Sequence, residues 1–69
     1  MGVSYNKLFK LLIDKKIKKT ELAGKANISN GTLAKLSKDE FVSMEVLVKI
    51  CDVLECNIGD IVDVVEEGE

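Results

Sequence analysis

Apolar residues recur along this chain at helical spacing, in blocks separated by short polar joints. Leu8, Leu11 and Leu12 fall at i, i+3 and i+4, with Tyr5 at the head of the stripe and Phe9 and Ile13 widening it. That spacing predicts a first helix from about Ser4, its cap, to Lys15 or Lys16, with Ile17 in the connection as a plug beneath the next helix. Lys18 and Lys19 open a second helix whose inward face is Leu22, Ala23 and Ala26. Asn27 then stands where the chain must reverse, a position of positive φ that favours Gly or Asn. Ser29 is placed to cap a third helix, with Ile28, Leu33 and Leu36 turned inward and an end near Ser37. Residues 38–42 read as a linker anchored by Phe41 or Val42. Ser43 caps a fourth helix, Glu45 lies in its first turn, and Leu47, Ile50, Cys51 and Leu54 form its stripe. Asn57 opens a short last helix carrying Ile58, Ile61 and Val62. The chain has no proline, so caps alone set these boundaries.

The central run Lys19-Thr-Glu-Leu-Ala-Gly-Lys-Ala-Asn-Ile-Ser-Asn-Gly-Thr-Leu-Ala-Lys-Leu36 has the form of a helix-turn-helix. With Tyr5-Asn-Lys-Leu8 and Leu12 before it, and Ser43-Met-Glu-Val-Leu47-Val-Lys-Ile50 and Leu54-Glu-Cys-Asn-Ile58-Gly-Asp-Ile61 after it, the chain resembles the Cro/phage-repressor (XRE-type) family over roughly residues 4–62. It looks most like the small stand-alone bacterial regulators of that family. The resemblance implies an all-α fold: a compact five-helix repressor-like domain over residues 1–62, with the helix-turn-helix as helices two and three. Residues 63–69 would follow as a short acidic tail, extended or frayed.

What the resemblance implies for function is a sequence-specific, double-stranded DNA-binding transcriptional regulator, a repressor or autoregulator. Its recognition helix, residues 30–37, would lie in the major groove while helix two crosses the phosphate backbone. Matched position by position, Ser29, Asn30, Gly31, Thr32 and Lys35 face the bases or flanking phosphates. Asn30 is the favoured reader, because an amide donates and accepts at once and so matches adenine N6 and N7. Lys18, Lys19, Lys38 and Ser43, with the amides at its helix N-terminus, are phosphate candidates. Two departures stand out. Lys19 occupies a position that is very often Gln in the family, and Lys38-Asp39 replaces the Asn-Gly that commonly follows helix three. Gly31 admits two readings: neutral drift at an exposed site, or a bare position that lets backbone approach DNA.

Charge changes the picture in a way the average conceals. The net charge of the 69 residues is −2. Residues 1–38 hold nine lysines against Asp14 and Glu21, a balance of +7, whereas residues 39–69 hold only Lys49 against ten carboxylates, a balance of −9. A polyanion would meet the positive half, which contains the helix-turn-helix. There is no arginine, the residue that most often reads guanine bidentately, so specificity leans on Asn30, DNA shape or a partner. The acidic half keeps an alternative open: a protein-interaction module, such as an antitoxin or anti-repressor, gripping a basic partner.

Other classes have little support. The chain lacks His, a phosphate-binding loop and a nucleophile–base pair, so it is not expected to be an enzyme or to carry a cofactor or metal. Cys51 and Cys56 cannot complete a zinc site alone and read as small core residues, with redox sensing as the alternative. No apolar run approaches a membrane span and no leader pattern opens the chain, which makes the cytoplasm the expected compartment. A single module of this size buries little DNA surface, so a homodimer on two half-sites is expected. Ile61-Val-Asp-Val-Val65 is either a frayed end or a strand that pairs with its twin.

Overall fold

The fold, given by a computed structural model that describes residues 1–66, consists of four α-helices clasped at the chain ends by a two-stranded ribbon. In chain order these are β1 (Gly2–Ser4), α1 (Asn6–Lys15), α2 (Lys19–Ala26), α3 (Asn30–Ser37), α4 (Met44–Leu54), a 3₁₀ turn (Ile58–Asp60) and β2 (Asp63–Val65). The helices follow the apolar spacing closely. Ser29 and Ser43 cap α3 and α4 as expected, accepting from the Thr32 and Val46 amides at 3.1 and 3.2 Å.

Three expectations need correction. The fifth helix is only a single 3₁₀ turn, closed by the Asn57 N–H donating to the Asp60 carboxylate at 2.9 Å. Gly59 sits inside that turn, and the β-branched Val62, Val64 and Val65 beyond it favour extended chain over helix. The fold is therefore not purely helical: β1 and β2 pair antiparallel, with Val3 opposite Val64 and Gly2 opposite Val65. Of the two readings of the tail the strand is the one observed, and its partner is the chain's own N-terminus. Ser4 belongs to β1 and does not cap α1; Tyr5 holds that position, and Ser4 Oγ accepts from the Asn6 N–H at 3.3 Å. Residues 67–69 of the acidic tail lie outside the described residues.

The core is built from Tyr5, Leu8 and Leu12 of the first helix region, Leu22, Ala23 and Ala26 of α2, Leu36 of α3, Leu47, Ile50 and Leu54 of α4, and Ile61. Ile13, one residue past Leu12, is rotated off the stripe and is 74 % exposed. In the α3–α4 linker Val42 turns inward, while Phe41 stays 68 % exposed.

All four helices end in the same way, although none ends on glycine. Lys16, Asn27, Asp39 and Glu55 have φ of 58°, 56°, 56° and 55°. In each case the next residue donates its N–H to a carbonyl five back: Ile17 to Leu12, Ile28 to Ala23, Glu40 to Lys35 and Cys56 to Cys51, at 2.9–3.1 Å. These are Schellman caps, in which a left-handed residue reverses the chain and the one after it seals the helix end. Asn tolerates that conformation, and Lys and Glu do so only at a cost of roughly 1–2 kcal/mol. Glu55 also places a negative charge at a helix C-terminus, where the dipole disfavours it. Glu55→Gly is therefore expected to raise stability by about 1 kcal/mol, glycine's greater unfolded freedom offsetting part of the relief. Lys16→Gly should give less. Urea denaturation of the two variants measures both, and unchanged midpoints would show that neither cap is strained.

Candidate nucleic-acid interface

The turn between α2 and α3 is three residues long, Asn27 to Ser29. Asn27 supplies the left-handed step, and Ile28 packs its side chain against the core. Ser29 then starts α3, its hydroxyl bonded to the Thr32 amide at 3.1 Å and to the Thr32 hydroxyl at 3.0 Å. The structure thus brings the five base-reading candidates onto one short segment but divides their roles. Ser29 and Thr32 engage each other, and Thr32 is half-buried. Asn30, Gly31 and Lys35 are exposed, and among the described residues neither the Asn30 amide nor the Lys35 ammonium is tied to another side chain.

Leu36 is buried and Leu33 half-buried, so α3 lies with one face on the core and the opposite strip in solvent. That strip contains Asn30, Gly31, Ala34, Lys35 and Lys38. Ala34 escaped the sequence reading because alanine fits either face. The signal was available in its spacing, four after Asn30 and three after Gly31. At eight residues α3 is about 12 Å long, comparable with the roughly 12 Å width of a B-form major groove. Its solvent strip carries no carboxylate.

Gly31 is not required by the protein's own packing. A Cβ there would meet only Ser29 Oγ at 3.8 Å, an ordinary contact. Gly31→Ala should accordingly stabilise the free protein, by up to about 1 kcal/mol. A simultaneous loss of DNA affinity, read by anisotropy beside a melting curve, would identify the bare position as one that DNA approaches closely. Unchanged affinity would leave neutral drift as its explanation.

The phosphate candidates surround this strip in sequence. Lys18 and Lys38 are exposed at the ends of α2 and α3, and neither meets a carboxylate among the described residues. Lys19 opens α2 with its ammonium 4.5 Å from the Phe9 ring centroid, a cation–π contact that holds the charge at the helix N-terminus. A Gln at this position would bring a two-way amide and no such charge. Ser43 presents its hydroxyl at the start of α4. By contrast Lys7, Lys25 and Lys49 are engaged with Asp63, Glu21 and Glu45 at 3.0, 3.3 and 3.8 Å.

The end of α3 is held by a pair of contacts that sequence reading did not anticipate. Asp39 takes the left-handed conformation and its carboxylate accepts from the Tyr5 N–H at 3.0 Å. The Tyr5 hydroxyl donates to the Glu40 carbonyl at 2.8 Å. The start of α1 is thereby fastened to the exit of α3, and the substitution of Asp for the family's usual Gly acquires a physical purpose. Tyr5 is almost wholly buried, and that burial, with Asp39 nearby, raises its phenol above the ordinary range. The hydroxyl therefore stays protonated and remains a donor.

A family model for the Cro/C1-type HTH DNA-binding domain matches residues 7–67. Among solved structures, the crystal structure of transcriptional regulator VanUg (Form II) superposes with a TM-score of 0.93 at 52 % identity, covering 96 % of this chain and 88 % of that one. The search of curated proteins found no match. Helix order, turn geometry and family match agree: the chain belongs to the Cro/C1-type helix-turn-helix DNA-binding family.

Proposed function

We propose that this protein is a sequence-specific transcriptional regulator, a repressor or autoregulator, that inserts α3 into the major groove of double-stranded DNA. The observation that carries the reading is the solvent strip of α3: an unengaged amide, a bare glycine, an alanine methyl and two lysines, with no carboxylate among them. Asn30 reads adenine, Ala34 meets a thymine methyl, and Lys35 reaches guanine or a phosphate. Ser29 and Thr32 shape the helix start, and the one hydroxyl proton that their mutual bond leaves free is offered to a flanking phosphate. Lys18, Lys19, Lys38 and Ser43 set the register on the backbone. The 52 % identity to a protein described as a transcriptional regulator supports the same reading. The cytoplasm, where the DNA is, is the corresponding site of action; no helix among the described residues is long and apolar enough to cross a membrane.

The functional unit is a homodimer. Half-sites one helical turn apart lie about 34 Å from centre to centre. The protein measures 33 × 23 × 18 Å, so copies on successive half-sites come within reach of each other. Phe41, Met44 and Val48, 68 %, 64 % and 54 % exposed, follow directly on the recognition helix and supply the apolar surface for that contact. Selection from a random double-stranded pool at about 0.15 M salt tests the reading, with binding then titrated against salt. An inverted repeat should be enriched, and log affinity should fall with log salt at a slope near −3.6 per subunit if about four phosphates are neutralised. Salt-sensitive bulk binding without any motif would overturn sequence specificity.

A second reading is favoured by the same apolar patch, because Glu40, Glu45 and Asp52 flank it. An acidic, apolar face of that kind suits a basic protein partner, as an antitoxin or anti-repressor would need. Failure of the selection together with capture of a basic partner by the Phe41–Val48 face would favour it.

A further inference from the structure

Cys51 and Cys56 occupy the two positions that a Schellman cap brings together. Glu55 reverses the chain at φ 55°, and the Cys56 N–H donates to the Cys51 carbonyl at 3.1 Å. An apolar contact between the residues so joined commonly accompanies this cap. In α1 the corresponding residues are Leu12 and Ile17, and in α2 Ala23 and Ile28. In α4 alone both are thiols. Both are free thiols and half-buried, and both line a surface cleft of about 470 Å³ beside Val48 and Asn57. Small molecules therefore reach the pair, and joining the sulfurs requires no distant segment to move.

We infer that Cys51 and Cys56 are a modification site, which a hydroperoxide converts to an intramolecular disulfide across the α4 cap. Cys56, in the turn beyond the end of α4, takes the first step; burial, then the neighbouring Cys56 and Asp60, push the Cys51 thiol up to about 11. The Cys56 thiolate sulfur takes the outer peroxide oxygen. The O–O bond breaks, the inner oxygen leaves as an alcohol after gaining a proton, and Cys56 becomes a sulfenic acid. Cys51 Sγ then attacks the Cys56 sulfur, the S–O bond breaks, and the Cys51 proton departs with the hydroxyl as water. Two thiols lose two electrons in total, and the hydroperoxide is reduced to alcohol and water.

The test treats the full chain with tert-butyl hydroperoxide, alkylates remaining thiols, and weighs the intact protein without reductant. The expected product is a monomer lighter by two hydrogens, unalkylated, with Cys51 and Cys56 joined in the peptide map and both thiols restored by dithiothreitol. Its melting temperature should rise by about 5–10 °C, because the link closes a short loop that the native cap already holds together. Cys51→Ser should stop at a Cys56 sulfenic acid that dimedone traps. Two alkylatable thiols after treatment, a disulfide-linked dimer, or a lowered melting temperature would each overturn the assignment.

Discussion

The Asn30→Ala, Lys35→Ala double variant is expected to lose roughly 2–4 kcal/mol of specific DNA binding per subunit, a loss of about thirtyfold to several hundredfold. In the free protein these two side chains do very little. Both are exposed, and neither is engaged with another side chain among the described residues. Their removal should change folding stability by no more than about 0.5 kcal/mol. Asn30→Ala should relax discrimination at one base pair while leaving bulk binding largely intact. Lys35→Ala should weaken binding to all sequences and flatten the salt dependence if its contact is a phosphate. Fluorescence anisotropy on the selected site and on a scrambled one separates these effects. If the double variant kept full selectivity, readout by this face of α3 would be wrong. If it lost DNA but still held a basic protein partner, the two roles would occupy separate surfaces.

Tyr5→Ala is expected to be the most damaging single substitution in the chain. It removes a large, almost wholly buried ring, for which truncation costs about 3–5 kcal/mol. It also leaves the Glu40 carbonyl without its side-chain donor. At typical per-residue stabilities a chain of 69 residues has a total of roughly 3–10 kcal/mol, so the variant should be largely unfolded or close to it at room temperature. Tyr5→Phe isolates the hydroxyl. It should fold and lose about 1 kcal/mol, the ordinary worth of one such hydrogen bond. Because that bond holds the residues just after α3, Tyr5→Phe should also weaken DNA binding modestly even though Tyr5 lies in the core. Urea midpoints give the stabilities, and binding measured well below the melting temperature gives the second effect. A Tyr5→Ala protein as stable as the parent would show that the ring is not the keystone of the α1–α3 contact.

Local rules made most of the helical framework legible. The Leu8–Leu12, Leu22–Ala26 and Leu47–Leu54 stripes predicted α1, α2 and α4, since a period near 3.6 leaves one apolar face that must be covered. Ser29 and Ser43 marked the starts of α3 and α4, because a hydroxyl at those positions satisfies an amide that the helix cannot. Asn27 announced its own left-handed turn. Lys16 and Glu55 did not, because their side chains do not prefer that conformation and the packing of Ile17 and Cys56 beyond the helix ends selects it, whereas Asp39 tolerates it and is held there by the Tyr5 N–H. The candidate base-reading and phosphate positions came from resemblance to a family, and their division into engaged and unengaged side chains needed coordinates.

Four helices, the turn that joins α2 to α3, and the lysine-rich half that would face a polyanion were thus legible from local order along the chain, because each depends on neighbours within a few residues. The β1–β2 ribbon, the Tyr5 tie to Asp39 and Glu40, and the exposure of Ala34 and Phe41 came from long-range packing. Val3 and Val64 pair across 61 positions of chain, and Tyr5 and Asp39 across 34. Such contacts carry no periodic signal, and they form only when the helices between them have packed and brought the ends together.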